Sequence, residues 1–298
     1  MIHNNVNICQ FILPDYAVEQ FFTDGYVVCK NRYALDEVTK IKQCADHLRQ
    51  KAELLYSHIT ENNINELGSY ALSDDAAFDV HFINSNGENN LYYVDYEGAR
   101  FILGSANAKM VIHRIVWAGG AEPYLLEVSR QDKLLRPVSQ LLRSNTADHL
   151  INQIHFKMQG DGVEFKWHQD VMNRRSYGKR WADVNGTGSF VQTFIVLDDT
   201  TSENGTLNLV KGLPPQGDLF LETVKDSEQL RKVARLDEAF PLELNVGDVL
   251  FMHPYTVHGS EPNNSSQIRR LLINGFSCPG ANKGDYPGVG SAKEIDLG

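Results

Sequence analysis

Between residues 34 and 59, Leu35, Val38, Ile41, Ala45, Leu48, Ala52 and Leu55 recur at steps of three and four, with Lys40, Lys42, Asp46, Arg49 and Glu53 between them. Side chains at that spacing share one face of an α-helix, so the segment predicts an amphipathic helix lying on a core. The run Gly25-Tyr-Val-Val-Cys29 just before it reads as a short strand. Over residues 132–143, Leu134, Leu135, Val138, Leu141 and Leu142 share a face and predict a second helix, with Pro137 restricting where its regular turns begin. Residues 60–90 are polar and acidic, with Asp74, Asp75, Asp79 and many asparagines, and periodicity fades there. A loop-rich cover is expected for that stretch.

From residue 150 onward the period changes to two. Segments 151–158, 190–197, 206–210, 249–253 and 270–276 are short apolar runs separated by Gly, Asn, Asp and Pro clusters, which is how strands joined by turns are written. Helices first and many short strands afterwards predict a mainly β fold with flanking helices, a sandwich or jelly roll. A chain of 298 residues fits one domain, with residues 1–149 as a helical or lid part and residues 150–278 as the β core.

Composition narrows the class. Hydrophobic residues at 42% and charged residues at 22% lie near globular averages and exclude disordered, collagenous and membrane-spanning classes. A net charge of −10 argues against nucleic acid as a partner, because phosphate contacts need clustered Lys and Arg. No run approaches the roughly 18 apolar residues of a membrane span. Residues 1–20 carry no Lys or Arg ahead of an apolar stretch and contain Asp15, so the charged-then-apolar order of a secretory signal is missing. Cys9, Cys29, Cys44 and Cys278 form no C-x-x-C pair, and free thiols in the reducing cytoplasm are expected.

The chemistry concentrates in four residues. His168-Gln169-Asp170 alone is a short triplet that arises by chance, but His258 follows an apolar strand and Arg269 opens the next one. Residues i and i+2 of a strand point to one face, so His168 and Asp170 can converge on one ion. Two imidazoles and a carboxylate on one side of a metal leave positions open for a ligand and O₂, the arrangement of non-haem Fe(II) oxygenases. If the strands at 249–253 and 270–276 pair antiparallel, Arg269 returns beside His258. Its guanidinium would then hold the far carboxylate of a small diacid whose other end chelates the metal, as 2-oxoglutarate requires.

Several motifs occur in order: Phe21-Phe-Thr-Asp-Gly-Tyr-Val-Val28, His168-Gln-Asp170, Asn204-Gly-Thr-Leu207, Val246-Gly-Asp-Val249, His258-Gly-Ser260 and Arg269. Together they resemble the phytanoyl-CoA dioxygenase family of Fe(II)/2-oxoglutarate oxygenases. The resemblance implies a double-stranded β-helix of the jelly-roll or cupin-like kind. It implies His168, Asp170 and His258 as catalytic iron ligands, Arg269 on the C5 carboxylate of 2-oxoglutarate, and Ser260 adding a hydroxyl to that grip. Ile151, Gln153, His155 and Lys157 share a strand face where family members place co-substrate contacts, which makes Gln153 and His155 candidates. Phe194 stands where the family often sets an aromatic against the co-substrate. A loop-capping role for Ser260, ordinary strand polarity for Gln153 and His155, and core packing for Phe194 are the alternatives. The chain departs from the family after the Asn-Gly-x-Leu turn: Val210-Lys-Gly-Leu-Pro-Pro215 replaces the usual Pro-Gly-Ser-His, in a loop that supplies no metal ligand.

The implied reaction couples Fe(II), O₂ and decarboxylation of 2-oxoglutarate to oxidation of a C–H bond in a small organic substrate, with hydroxylation expected and desaturation, epoxidation or ring closure as variants. Asp170 argues against halogenation, which resembles this site with the carboxylate replaced by a small residue. The basic run Arg174, Arg175, Lys179 and Arg180 suits an anionic group on the substrate, or is simply a solvated loop. Two other readings compete: a cupin-like protein that binds metal or a small ligand without turnover, and a zinc hydrolase using the same three ligands, for which no additional general base is evident.

Overall fold

The computed structural model describes residues 11–86, 89–106, 109–172, 181–214 and 227–298. The three-four spacing becomes helix α2 (Leu35–Glu61), which follows α1 (Asp15–Asp24) and strand β1 (Tyr26–Cys29). Val38, Ile41, Ala45, Leu48, Ala52, Leu55 and Ile59 form its inner stripe, none more than 1% exposed. Burying one such Leu or Ile side chain stabilises by about 1.5–3 kcal/mol, so this face holds α2 down. Glu37 accepts the Ala34 N–H at 2.9 Å and closes the first turn. No helix among the described residues is long and apolar enough to cross a membrane.

Helix α3 (Tyr124–Ser129) leads into α4 (Asp132–Leu142), which starts as predicted but carries Pro137 inside it. Proline has no N–H for the carbonyl four residues back. That carbonyl, of Lys133, is taken instead by Arg32 Nε at 2.8 Å. The helix therefore continues through its proline.

The β core is two facing antiparallel sheets. The larger contains β7 (Thr146–Lys157), β9 (Phe190–Val196), β12 (Val249–Met252) and β14 (Arg269–Ser277), in the order β1–β12–β9–β14–β7. The smaller contains β8 (Phe165–His168), β10 (Leu207–Leu209), β11 (Phe240–Leu242) and β13 (His258–Ser260), in the order β11–β10–β13–β8. Phe194, Val196, Leu250, Met252, Leu271 and Ile273 from the first meet Leu207 and Leu209 from the second, filling the space between them. This is the double-stranded β-helix.

Two expectations are corrected. The strands at 249–253 and 270–276 do not pair, because β9 lies between β12 and β14. The chain crosses to the smaller sheet as β13 and returns, so β12, β13 and β14 alternate between the sheets. Residues 60–90 are not a loop-rich cover. They form β2 (Gly68–Ser73), β3 (Ala76–Asn86) and the start of β4 (Asn89–Tyr96), and with β5 (Ala99–Ala106) and β6 (Lys109–Val116) they extend the larger sheet outward from β7. Phe78 and Val80 are buried while Asp79 and His81 face solvent, as a half-covered strand requires. The first half of the chain is thus as much sheet as helix. The basic run with Arg174, Arg175, Lys179 and Arg180 lies outside the described residues.

Two motifs act structurally. Asp248 is buried and accepts from Asn31 N–H, Asn245 N–H and Lys30 Nζ at 2.8–2.9 Å, tying β1 to β12. Gly247 has φ +86° and a Cβ there would strike the Tyr33 carbonyl. Arg270 faces outward from β14 and pairs with Asp198 at 2.8 and 3.0 Å and with Asp46 of α2 at 2.9 Å, which pins that helix to the sheet.

Candidate metal centre

β8 and β13 pair antiparallel with His168 directly opposite His258, and their rings lie 4.1 Å apart between centroids. The strand ends at His168. Asp170 is not on it but opens a helical turn, so the same-face argument for the triplet does not apply as a strand rule. The turn is fixed by Gln169, whose Nε2 donates to the Tyr255 carbonyl at 2.6 Å, and by Val171 N–H donating to Pro254 at 3.1 Å. It swings Asp170 back toward the histidines. One ligand atom from each of His168, Asp170 and His258 falls within 4.8 Å of the others.

Local hydrogen bonds orient both imidazoles. His168 Nδ1 meets the Lys166 carbonyl at 2.7 Å and His258 Nδ1 meets the Thr256 carbonyl at 3.0 Å. A carbonyl only accepts, so each Nδ1 carries the proton and each Nε2 keeps its lone pair. Burial, and His258 alongside, push His168 down to about 4, so its ring is neutral at pH 7. Asp170 is 3% exposed and its Oδ2 has no hydrogen-bond partner. A buried carboxylate oxygen without a donor is unfavourable unless a cation takes it. Two free imidazole nitrogens and an unpaired carboxylate fit a divalent iron with open positions.

Arg269 is 1% exposed, at the start of β14. Its Nη2 donates to the Gly205 carbonyl, while its Nε has no partner. The Asn204-Gly-Thr turn presents that carbonyl: Asn204 Nδ2 donates to Asp199 O at 2.7 Å and its Oδ1 accepts Thr201 N–H at 2.8 Å. Burial pulls Arg269 down to about 10, which leaves it charged. Ser260 is buried on β13 and accepts from Lys157 Nζ at 2.8 Å. The structure brings Arg269 and Ser260 together through Lys157, which pairs with Arg269 across β7 and β14.

Gln153 and His155 line a cavity of about 650 Å³ that also reaches His168 and Asp170. His155 stacks on Phe165 with ring centroids 4.8 Å apart, and its Nε2 has no partner. Burial, with Arg114, Arg269 and Lys157 nearby, holds it well below the ordinary histidine range. Phe194 packs with Leu250 and Ile273 in the apolar cluster between the sheets. Sequence reasoning gave no role to Arg114, Arg100 or Gln192, which line the cavity together with Tyr93. A charged residue inside the apolar run of β6 was the available sign for Arg114.

Comparisons with known proteins agree with this architecture. The model of the Phytanoyl-CoA dioxygenase (PhyH) family matches residues 21–271. A probable alpha-ketoglutarate-dependent hypophosphite dioxygenase of Stutzerimonas stutzeri is 30% identical over 173 residues, 53% of this chain and 56% of that protein. L-proline trans-4-hydroxylase of Streptomyces griseoviridis is 25% identical over 144 residues, 41% of this chain and 51% of that protein. The chain thus spans about half the length of these curated relatives. EctD from S. alaskensis, solved with 2-oxoglutarate and 5-hydroxyectoine, superposes with TM-score 0.62 at 16% identity, covering 94% of this chain and 82% of that one. The non-heme alpha ketoglutarate dependent carbocyclase SnoK from nogalamycin biosynthesis gives 0.59 at 16% identity, covering 95% and 94%. These solved structures share the fold, and the family match runs through both sheets and past the arginine that opens β14: the chain belongs to the phytanoyl-CoA dioxygenase family.

Proposed function

We propose that the protein is an Fe(II)- and 2-oxoglutarate-dependent dioxygenase that hydroxylates a C–H bond of a small organic molecule. The observation that carries this reading is the convergence of His168, Asp170 and His258 with an unpaired Asp170 oxygen, together with a buried Arg269 that has no carboxylate partner among the described residues. Iron with 2-oxoglutarate and O₂ would supply the chemistry: one oxygen atom goes to the substrate and the other to succinate as CO₂ leaves.

The remaining work belongs to the protein. His168 and His258 offer Nε2 because main-chain carbonyls hold their Nδ1 protons. Arg269, with Ser260 nearby, suits the far carboxylate of the co-substrate, and Gln153 and His155 stand on the same strand face. The relatives' named substrates, hypophosphite and proline, are small, and a cavity of about 650 Å³ suits a molecule of that class. Arg114 lines it without an ion pair among the described residues, which favours a substrate bearing an anionic group. The strands that build this wall continue the sheet of the metal-binding core, which supports one domain over the whole chain. Cys29, Cys44 and Cys278 are free, in keeping with a reducing cytoplasmic setting.

Purified protein supplied with Fe(II), 2-oxoglutarate and O₂ should release succinate, faster when a metabolite library contains the substrate. A protein that binds neither iron nor 2-oxoglutarate and forms no succinate with any candidate would contradict the reading. The non-catalytic binding alternative gains no support, since a mere metal binder has no use for a buried arginine set to receive a diacid.

A further inference from the structure

Lys157 is 0% exposed, a rare state for lysine. It closes β7 directly opposite Arg269 on β14. Its Nζ donates to Ser260 Oγ at 2.8 Å and to the main-chain carbonyl of Glu261. Both acceptors are neutral, and an ammonium has three N–H donors, so one remains uncommitted. Arg269 is likewise held, among the described residues, by the Gly205 carbonyl alone, with Nε unpartnered. Among the described residues neither cation has a carboxylate in ion-pair contact. The contrast with Arg270, one residue along and saturated by Asp198 and Asp46, shows that this chain supplies counter-ions where a cation is structural. Like charges side by side in a dry interior are unfavourable without an anion between them. Burial, and Arg269 beside it, lower Lys157 to about 7, so arrival of an anion favours its charged form.

We propose that Lys157 is a second cation on the distal carboxylate of the co-substrate, forming with Arg269 a two-sided clamp that selects a diacid over a monoacid. This rests on the reading of Arg269 as the anchor for that carboxylate. Ser260 and the carbonyls of Gly205 and Glu261 hold the two cations apart and aim them, and the third ammonium N–H completes the grip. Lys157 is in this sense a positioning and specificity residue for the 2-oxo acid.

Calorimetric titration of the Fe(II)-loaded, oxygen-free full chain tests it, with 2-oxoglutarate and with 2-oxobutanoate, which keeps the chelating end but lacks the far carboxylate. Lys157→Met keeps the length of the side chain and removes its charge. It should weaken 2-oxoglutarate by roughly 10–100-fold, leave 2-oxobutanoate unchanged, and be largely rescued in Lys157→Arg. A purely structural lysine would lose both keto acids alike or neither, and either result overturns the proposal. If Lys157→Met does not fold, a crystal structure of the wild type with 2-oxoglutarate decides: Nζ within about 4 Å of a distal oxygen supports the clamp, and a longer separation overturns it. Wild-type protein that binds iron but not 2-oxoglutarate would remove the anchor reading itself, a failure distinct from that of Lys157.

Discussion

Arg269 and Arg270 are adjacent on β14 and live in opposite charge environments. Arg270 points outward to Asp198 and Asp46, whereas Arg269 points between the sheets and, among the described residues, meets a main-chain carbonyl and no carboxylate. Strand alternation alone separates their roles. Arg269→Ala should weaken 2-oxoglutarate by roughly 10–100-fold without lowering stability, since it removes an uncompensated buried charge. Arg270→Ala should do the reverse, leaving co-substrate affinity intact and costing about 1.5–3 kcal/mol by removing the guanidinium from Asp198 and Asp46, with Lys42 still paired to Asp198 at 2.9 Å. Calorimetry and urea unfolding on the two variants check the crossing, and equal 2-oxoglutarate affinity in Arg269→Ala would remove the assignment.

His168→Ala, Asp170→Ala and His258→Ala should each reduce succinate formation to background. Metal titration should show weakened iron binding in all three. Circular dichroism should stay native, because His168 sits at a strand end and the sheets are held by apolar contacts elsewhere.

Gly205 has φ +77°, and a Cβ on it would strike the Glu261 carbonyl and lie 3.0 Å from Lys157 Nζ. Gly205→Ala therefore combines backbone strain with displacement of the Arg269 and Lys157 supports, and a loss of about 1–3 kcal/mol is expected. The melting temperature should fall together with 2-oxoglutarate affinity. A variant of wild-type stability and affinity would contradict the account of this turn.

Stability should decline in acid through His149. Its ring is fully buried, stacked on Phe276 at 4.6 Å, and burial followed by nearby Arg130 pushes it from 6.5 down to about 3. The unfolded chain takes up this proton below 6.5 while the folded one does not until about 3, so the contribution is intact above that window and lost as pH falls through it. The slope from this group is at most about 1.4 kcal/mol per pH unit. His149→Phe should show a smaller shift of the urea midpoint between neutral pH and about pH 5 than the wild type. An unchanged shift would exclude His149 as a contributor.

The candidate metal ligands were legible because few side chains offer a neutral nitrogen or a carboxylate to a metal, so His168, Asp170 and His258 stand out in the sequence before folding brings them together. Helix α2 was legible because its stripe runs unbroken for seven turns' worth of packing. Strand β3 was hidden by the exposed Asp79, His81 and Asn84, and by the register shift against β4 between Val80 and Phe82, which breaks the alternation. The partner of β12 could not be read either, because pairing depends on where the chain crosses between sheets. Lys157 was visible as one of four residues on a strand face, but its lack of a counter-ion is a property of its neighbours, not of its place in the sequence.

Tyr93, Arg100, Ile102 and Arg114, all from β4 to β6, wall one side of the cavity, while every candidate iron ligand comes from beyond residue 146. One wall of the cavity is thus encoded in a stretch of the gene product that holds none of the candidate ligands, while Gln153, Phe165 and Gln192 line the rest. Exchanging residues 91–116 with those of a relative should change which small molecules stimulate succinate release and leave iron affinity as it was, since that wall can be swapped without touching His168, Asp170 or His258.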